Sequence, residues 1–124
     1  DGILAALLVA EMVAIAGGPG VQSLLDTLYA EVGGAIYARR LNLHLTREQQ
    51  ERVALRLKDL PTRVGGLAVV EVNTLDGTKL LLEDGSWFLV RPSGTEPVVR
   101  LYLDAHSEAQ IEELTTAARA FLEV

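Results

Sequence analysis

The chain has 124 residues, with 11 Lys and Arg against 17 Asp and Glu and a formal charge of −6. That length suits one domain, or one domain with a piece of another, and 49 % apolar with 23 % charged residues describes a globular chain rather than a disordered one. The acid excess argues against a nucleic-acid or anionic-membrane surface; the lack of cysteine removes a disulfide framework and a thiolate site, and fits a reducing, cytoplasmic setting.

Charge and hydrophobicity are both uneven. Residues 1–33 carry Asp1, Glu11, Asp26 and Glu31 but no Lys or Arg, and 20 of these 33 are apolar against 41 of the 91 that follow. The chain also opens on Asp1 rather than Met. The expectation is a piece of a longer protein, with a helical remnant of one domain over 1–33 and a second domain over 34–124.

Ile3 to Ala16 is apolar except for Glu11, with Asp1 placed to cap its start and Gly17-Gly18-Pro19-Gly20 to stop it. It is shorter than the roughly 20 residues a bilayer span needs, and a signal peptide's basic n-region and cleavage site are missing. A helix apolar all round belongs in a larger core. Leu24, Leu25, Leu28 and Val32 then recur at helical spacing before Gly33-Gly34, a candidate hinge.

From Ala35 the period changes. Tyr37, Arg39, Leu41, Leu43 and Leu45 alternate with Ala38, Arg40, Asn42 and His44, the mark of a half-buried strand. Thr46-Arg47-Glu48-Gln49 reads as a capping box. Val53, Leu57 and Leu60 form that helix's stripe, and Pro61 ends it. A second strand alternates Ala68, Val70 and Val72 with Val69, Glu71 and Asn73.

Asp76-Gly77 and Asp84-Gly85 predict two-residue hairpin turns with positive φ at both central residues, so Lys79–Leu82 and Ser86–Arg91 pair as strands. Val99, Leu101, Leu103 and Ala105 alternate with Arg100, Tyr102 and Asp104. Ser107 and Gln110 repeat the capping box before a helix lined by Ile111, Leu114, Ala118, Phe121 and Leu122. Trp87 and Phe88 fall on opposite faces of one strand, so one of them belongs to the core. The predicted class is α+β: an antiparallel sheet of about four strands with two helices on one face, preceded by the helical remnant.

Arg91-Pro92-Ser93-Gly94-Thr95-Glu96-Pro97 is richer than a plain hairpin needs. Pro92 and Pro97 stiffen both ends. Gly94 permits close backbone approach to a ligand, and successive amides can form an anion-binding nest. Ser93 and Thr95 add hydroxyls, and Arg91 adds a planar fork suited to phosphate. Arg100 adds charge if its strand brings it near. Glu96, which would repel phosphate, is expected to point away and orient Arg91 or Arg100. The plainer reading is a Pro-Gly turn in which Arg91 simply pairs with Glu96.

Those seven residues resemble the phosphate-binding loop in the last domain of the α-D-phosphohexomutases, the family of phosphoglucomutase, phosphomannomutase and phosphoglucosamine mutase. Asp76-Gly77-Thr78-Lys79, Asp84-Gly85-Ser86-Trp87, Arg100 and Tyr102 agree with it, and Asp1-Gly2-Ile3 with its apolar helix resembles the end of the family's third domain. Trp87 and Tyr102 lean toward the phosphoglucomutase/phosphomannomutase type.

The resemblance implies an isomerase that moves phosphate between the 1- and 6-positions of a glucose or mannose phosphate. A phosphoserine would sit in the first domain, Mg²⁺ in the second and a sugar-reading loop in the third. The last domain would grip the phosphate not being transferred through Arg91, Ser93, Gly94, Thr95 and Arg100, supported by Glu96. The partners implied are the phosphosugar and the upstream domains, with neither nucleic acid nor membrane.

This chain contains no Ser-His-Asn-Pro, Asp-Gly-Asp-Gly-Asp or Gly-Glu-x-Ser-Gly-His stretch. No catalytic residue or metal ligand is therefore expected in it, and His44 and His106 read as surface or capping residues. Two rival readings are a free-standing anion-binding or interaction module and a single-stranded nucleic-acid binder. The acidic charge and scarce aromatics disfavour the latter.

Overall fold

The computed structural model describes residues 2–17 and 20–124. The expected Asp1 cap lies outside the described residues, as do Gly18 and Pro19 of the expected stop. The chain divides into two units, Asp1–Ala35 and Ile36–Val124.

In the first unit, α1 (Gly2–Ala16) has no polar face and buries none of its residues; Ile3, Leu7 and Ile15 are all more than 60 % exposed. α2 (Val21–Val32) half-buries Leu24, Leu25 and Tyr29 and leaves Leu28 and Val32 exposed. It ends as glycine permits: Gly33 turns left-handed at φ 92°, and the amides of Gly33 and Gly34 both donate to the Tyr29 carbonyl. No single described helix is long and apolar enough to cross a membrane.

The second unit is an antiparallel sheet with two helices on one face. Its strands are β1 (Tyr37–His44), β2 (Arg63–Val64), β3 (Leu67–Asn73), β4 (Thr78–Leu82), β5 (Trp87–Pro92) and β6 (Val98–Ala105), in spatial order β1-β6-β5-β4-β3-β2. The α+β class stands, but the sheet has six strands rather than about four. β2 is two residues long and shows no period, so only its pairing with β3 reveals it.

α3 (Arg47–Arg56) and α4 (Glu108–Leu122) cover the inner face. Val53 of α3 and Ile111, Leu114, Ala118 and Leu122 of α4 close over Leu80, Leu82, Phe88, Val90, Leu101 and Leu103. Phe88 is fully buried, its ring 6.4 Å from that of Phe121, whereas Trp87 stands on the open face with the Lys79 ammonium 3.9 Å above its ring. The capping box at Thr46 closes in both directions, Gln49 amide to hydroxyl (3.3 Å) and Thr46 amide to the Gln49 side chain (2.9 Å).

Three local expectations are corrected. At α4 the Ser107 hydroxyl accepts from the Gln110 amide, but the Gln110 side chain serves the His106 amide and the Asp84 carboxylate instead of closing a box. In β3 a bulge between Val69 and Glu71 breaks the expected alternation: Leu67 and Val69 pack on the core, Val70 at the bulge is exposed, and Val72 falls opposite the buried Leu80 yet stays exposed. The Asp-Gly turns are not two-residue primed turns. Gly77 and Gly85 have positive φ and neither Asp does. Around Asp84, the Gly85 amide donates to Leu82 and the Leu82 amide to Ser86, a three-residue turn in which only the glycine is left-handed.

Candidate functional site

Side chains alternate across β5 and β6, so Val90, Val99 and Leu101 point to the helices while Arg91 and Arg100 stand on the opposite, open face. The register pairs Arg91 directly with Arg100. Like charges set opposite each other across an antiparallel pair, their Cβ atoms roughly 5 Å apart, are destabilising by themselves. Each guanidinium here has its own acid: Arg91 Nε lies 3.2 Å from Asp76 Oδ1, and Arg100 Nη2 lies 3.6 Å from Glu96 Oε2. The site is thus a pair of adjacent cations held by two exposed carboxylates.

Residues 93–97 connect the two strands as a tight, irregular loop. The Ser93 amide donates to the Val98 carbonyl at 2.8 Å and closes its base, and the Pro97 carbonyl accepts from the Leu45 amide at 3.1 Å, tying the loop to the end of β1. The Ser93 hydroxyl accepts from the amides of Thr95 (3.5 Å) and Glu96 (3.3 Å). The amides expected to form an open nest therefore turn onto a side chain within the loop. A Cβ built on Gly94 would meet nothing within 4 Å, so this glycine faces open space and leaves the backbone accessible. Beside the loop, on the helix side, a groove of about 350 Å³ is lined by Gln50, Val53, Pro92, Ser93 and Val98 among others. Neither Arg91 nor Arg100 lines it; both stand on the other face of the sheet, Arg91 exposed and Arg100 half-buried.

Of the residues singled out from sequence, Arg91 and Arg100 are neighbours, Ser93, Gly94 and Thr95 lie in the loop between them, and Glu96 turns to Arg100. Glu96 does not pair with Arg91, contrary to the plainer reading. Asp76 does, and sequence reasoning passed over it as a turn residue. A signal was available: counted outward from the Asp84-Gly85 turn, Leu81 opposes Trp87 and Thr78 opposes Val90, which carries Asp76-Gly77 to the level of Arg91.

Elsewhere on the open face, the Arg40 guanidinium lies 5.6 Å from the centre of the Tyr102 ring. Asp104 is pushed above the usual carboxylate range by burial, partly offset by Lys79. Among the described residues no group of three or more His, Cys, Asp or Glu could hold a metal ion.

Residues 44–120 match the family model described as phosphoglucomutase/phosphomannomutase, C-terminal domain. A relative from Methanothermobacter thermautotrophicus named "Probable phosphoglucosamine mutase" is 37 % identical over 99 % of this chain and 26 % of its own length. A phosphopentomutase from Thermococcus kodakarensis is 36 % identical over 63 % of this chain and 17 % of its own length. Among solved structures, a protein from Thermus thermophilus named as a phosphomannomutase superposes over the whole chain with a TM-score of 0.70 at 31 % identity, again covering only 22 % of that protein. The chain thus spans about a quarter or less of the length of these relatives. Their names cover glucosamine, pentose and mannose enzymes.

Proposed function

The chain belongs to the phosphoglucomutase/phosphomannomutase family, matching its C-terminal domain, and from that premise we propose that residues 91–100 bind the phosphate of a phosphosugar that is not being transferred. The carrying observation is the register pairing of Arg91 with Arg100. Two guanidinium groups set side by side gain little in a free domain and much when a doubly charged phosphate lies across both forks. Ser93 and Thr95 supply hydroxyl donors at the rim, and Gly94 leaves the backbone approachable.

Asp76 and Glu96 offset the repulsion between the two cations until the anion arrives. Exposed pairs of this kind are worth only about 0–1 kcal/mol, so a phosphate displaces or rearranges them at small cost. In this reading the domain contributes binding energy remote from the bond being broken, used to hold the sugar in position. The whole enzyme is a cytoplasmic isomerase acting on glucose or mannose phosphates. Its phosphoryl-transferring serine and its Mg²⁺ belong to other domains, and the isolated chain catalyses nothing.

The test is a titration of the chain with glucose 1-phosphate followed by amide resonances. Ser93, Gly94 and Thr95 are expected to shift, with weak affinity because the sugar-reading part of the cleft is absent. Arg91→Ala should abolish those shifts; if they persist in that variant, the loop is not the phosphate site.

A further inference from the structure

We infer that Asp76 is a positioning residue for Arg91, and that the β3–β4 turn is built to hold the phosphate-gripping guanidinium in place. This inference rests on the phosphate reading above.

Two kinds of contact lead to it. One is the side chain: Asp76 Oδ1 meets Arg91 through Nε, at 3.2 Å. A carboxylate seated on Nε orients the planar guanidinium so that its Nη edge remains the fork offered to an anion. The other is the backbone. Gly77 has φ +101°, and a Cβ there would stand 2.6 Å from the Val90 carbonyl oxygen and 3.3 Å from the Arg91 Cα. The turn is therefore pressed against the backbone of the residue whose side chain Asp76 holds. Thr78, next in the chain, is buried and in register with Val90, which locks the turn at this level. On the other side of the turn, the Asn73 side chain accepts from the Leu75 amide at 2.9 Å and shapes the approach.

Electrostatics and positioning make opposite predictions, which makes the role testable. Asp76 is negative and stands beside the proposed anion site. If it were only a competitor for Arg91, removing it would strengthen phosphate binding. If it positions Arg91, removing it weakens binding even though a negative charge is lost.

The experiment measures the affinity of the 124-residue chain for glucose 1-phosphate in the wild type and in Asp76→Ala, Asp76→Asn and Arg91→Ala, alongside the Arg91 Nε–H resonance without ligand. Asp76→Ala should weaken binding about two- to fivefold, the scale of one exposed ion pair, and shift the Nε–H signal. Asp76→Asn keeps an acceptor oxygen and should recover part of the loss. Equal or tighter binding in Asp76→Ala, with Arg91→Ala still abolishing the response, would overturn the positioning role and leave the phosphate site standing. Unchanged binding in Arg91→Ala would remove the phosphate reading itself. Should Asp76→Ala fail to fold, the Asn variant decides by the same sign.

Discussion

The Gln110 side chain, in the first turn of α4, donates to the Asp84 carboxylate in the β4–β5 turn, while its carbonyl oxygen accepts from the His106 amide at 2.9 Å. One side chain thus caps a helix and ties that helix to a hairpin 26 residues away in sequence. His106 reinforces the tie, its ring Nε2 lying 2.9 Å from the Asp84 carbonyl oxygen. Gln49 occupies the matching place in α3 and does only the local half of this work.

Gln110→Ala should therefore destabilise the chain more than Gln49→Ala. Loss of a partly buried hydrogen bond to a charged group costs about 1.5–3 kcal/mol, against about 0.5–1.5 kcal/mol for a neutral one. Urea unfolding of the two variants checks the order, and equal midpoints would show the tether to be idle.

Asp84 and Asp104 should respond to pH in opposite directions. Burial works against the Asp84 charge, but the hydroxyl and amide of Ser86, the Asp84 backbone amide and the nearby His106 together outweigh it and hold the group below its ordinary 3.8. The unfolded chain then takes up the proton first. Asp84 accordingly contributes stability that is present above the ordinary value and is lost as pH falls through the folded one. Asp104 is raised by burial, so its contribution is present below the ordinary value and is lost as pH rises through the folded one. Asp84→Asn should flatten the acid limb of a stability–pH curve, whereas Asp104→Asn should raise stability at pH 7 by a few tenths of a kcal/mol, about the scale of surface changes.

Gly77→Ala should be costly for two separable reasons. Its φ of +101° strains any side chain, and the added methyl meets the Val90 carbonyl at 2.6 Å. Strained backbone of this kind costs on the order of 1–3 kcal/mol. Gly94→Ala, where the Cβ meets open space and φ is not left-handed, should change stability far less. Thermal melts of both variants give the comparison, and similar melting temperatures would contradict the close packing of the β3–β4 turn on β5.

Arg100→Ala separates stability from binding. It removes the charge opposite Arg91 as well as the Arg100–Glu96 pair, two small effects of opposite sign. Ligand-free stability should stay within about 0.5 kcal/mol of wild type. The stabilisation that added phosphate gives the wild type, which grows with the logarithm of one plus the ratio of ligand to Kd, should largely vanish. A variant still stabilised to the wild-type extent would place the anion elsewhere.

Much of the fold is legible in the sequence where one period runs unbroken over a whole element. β1, β5, β6 and α4 announce themselves through alternation, capping residues and apolar stripes, and α3 through its capping box, although it ends at Arg56 so that Leu57 and Leu60 lie beyond it and Pro61 does not stop it. β2 is too short to have a period. The break in the alternation of β3, which sets Val72 rather than Glu71 opposite Leu80, depends on a bulge that local pattern does not mark. Gln110 has two places to send its side chain, and the choice falls to Asp84, which arrives from another part of the chain.

Residue order is enough to establish that a dense run of anion-binding residue types lies between two strands, because proline, glycine, hydroxyl and arginine carry their conformational and donor properties wherever they stand. How those donors are arranged is a tertiary matter. The seven-residue stretch has no obligatory turn geometry, so the register that sets Arg91 against Arg100 comes from packing Val90, Leu101 and their neighbours into the core. The pairing of Arg91 with Asp76 likewise follows from the neighbouring strand's register, a relation between residues that local chemistry alone leaves open.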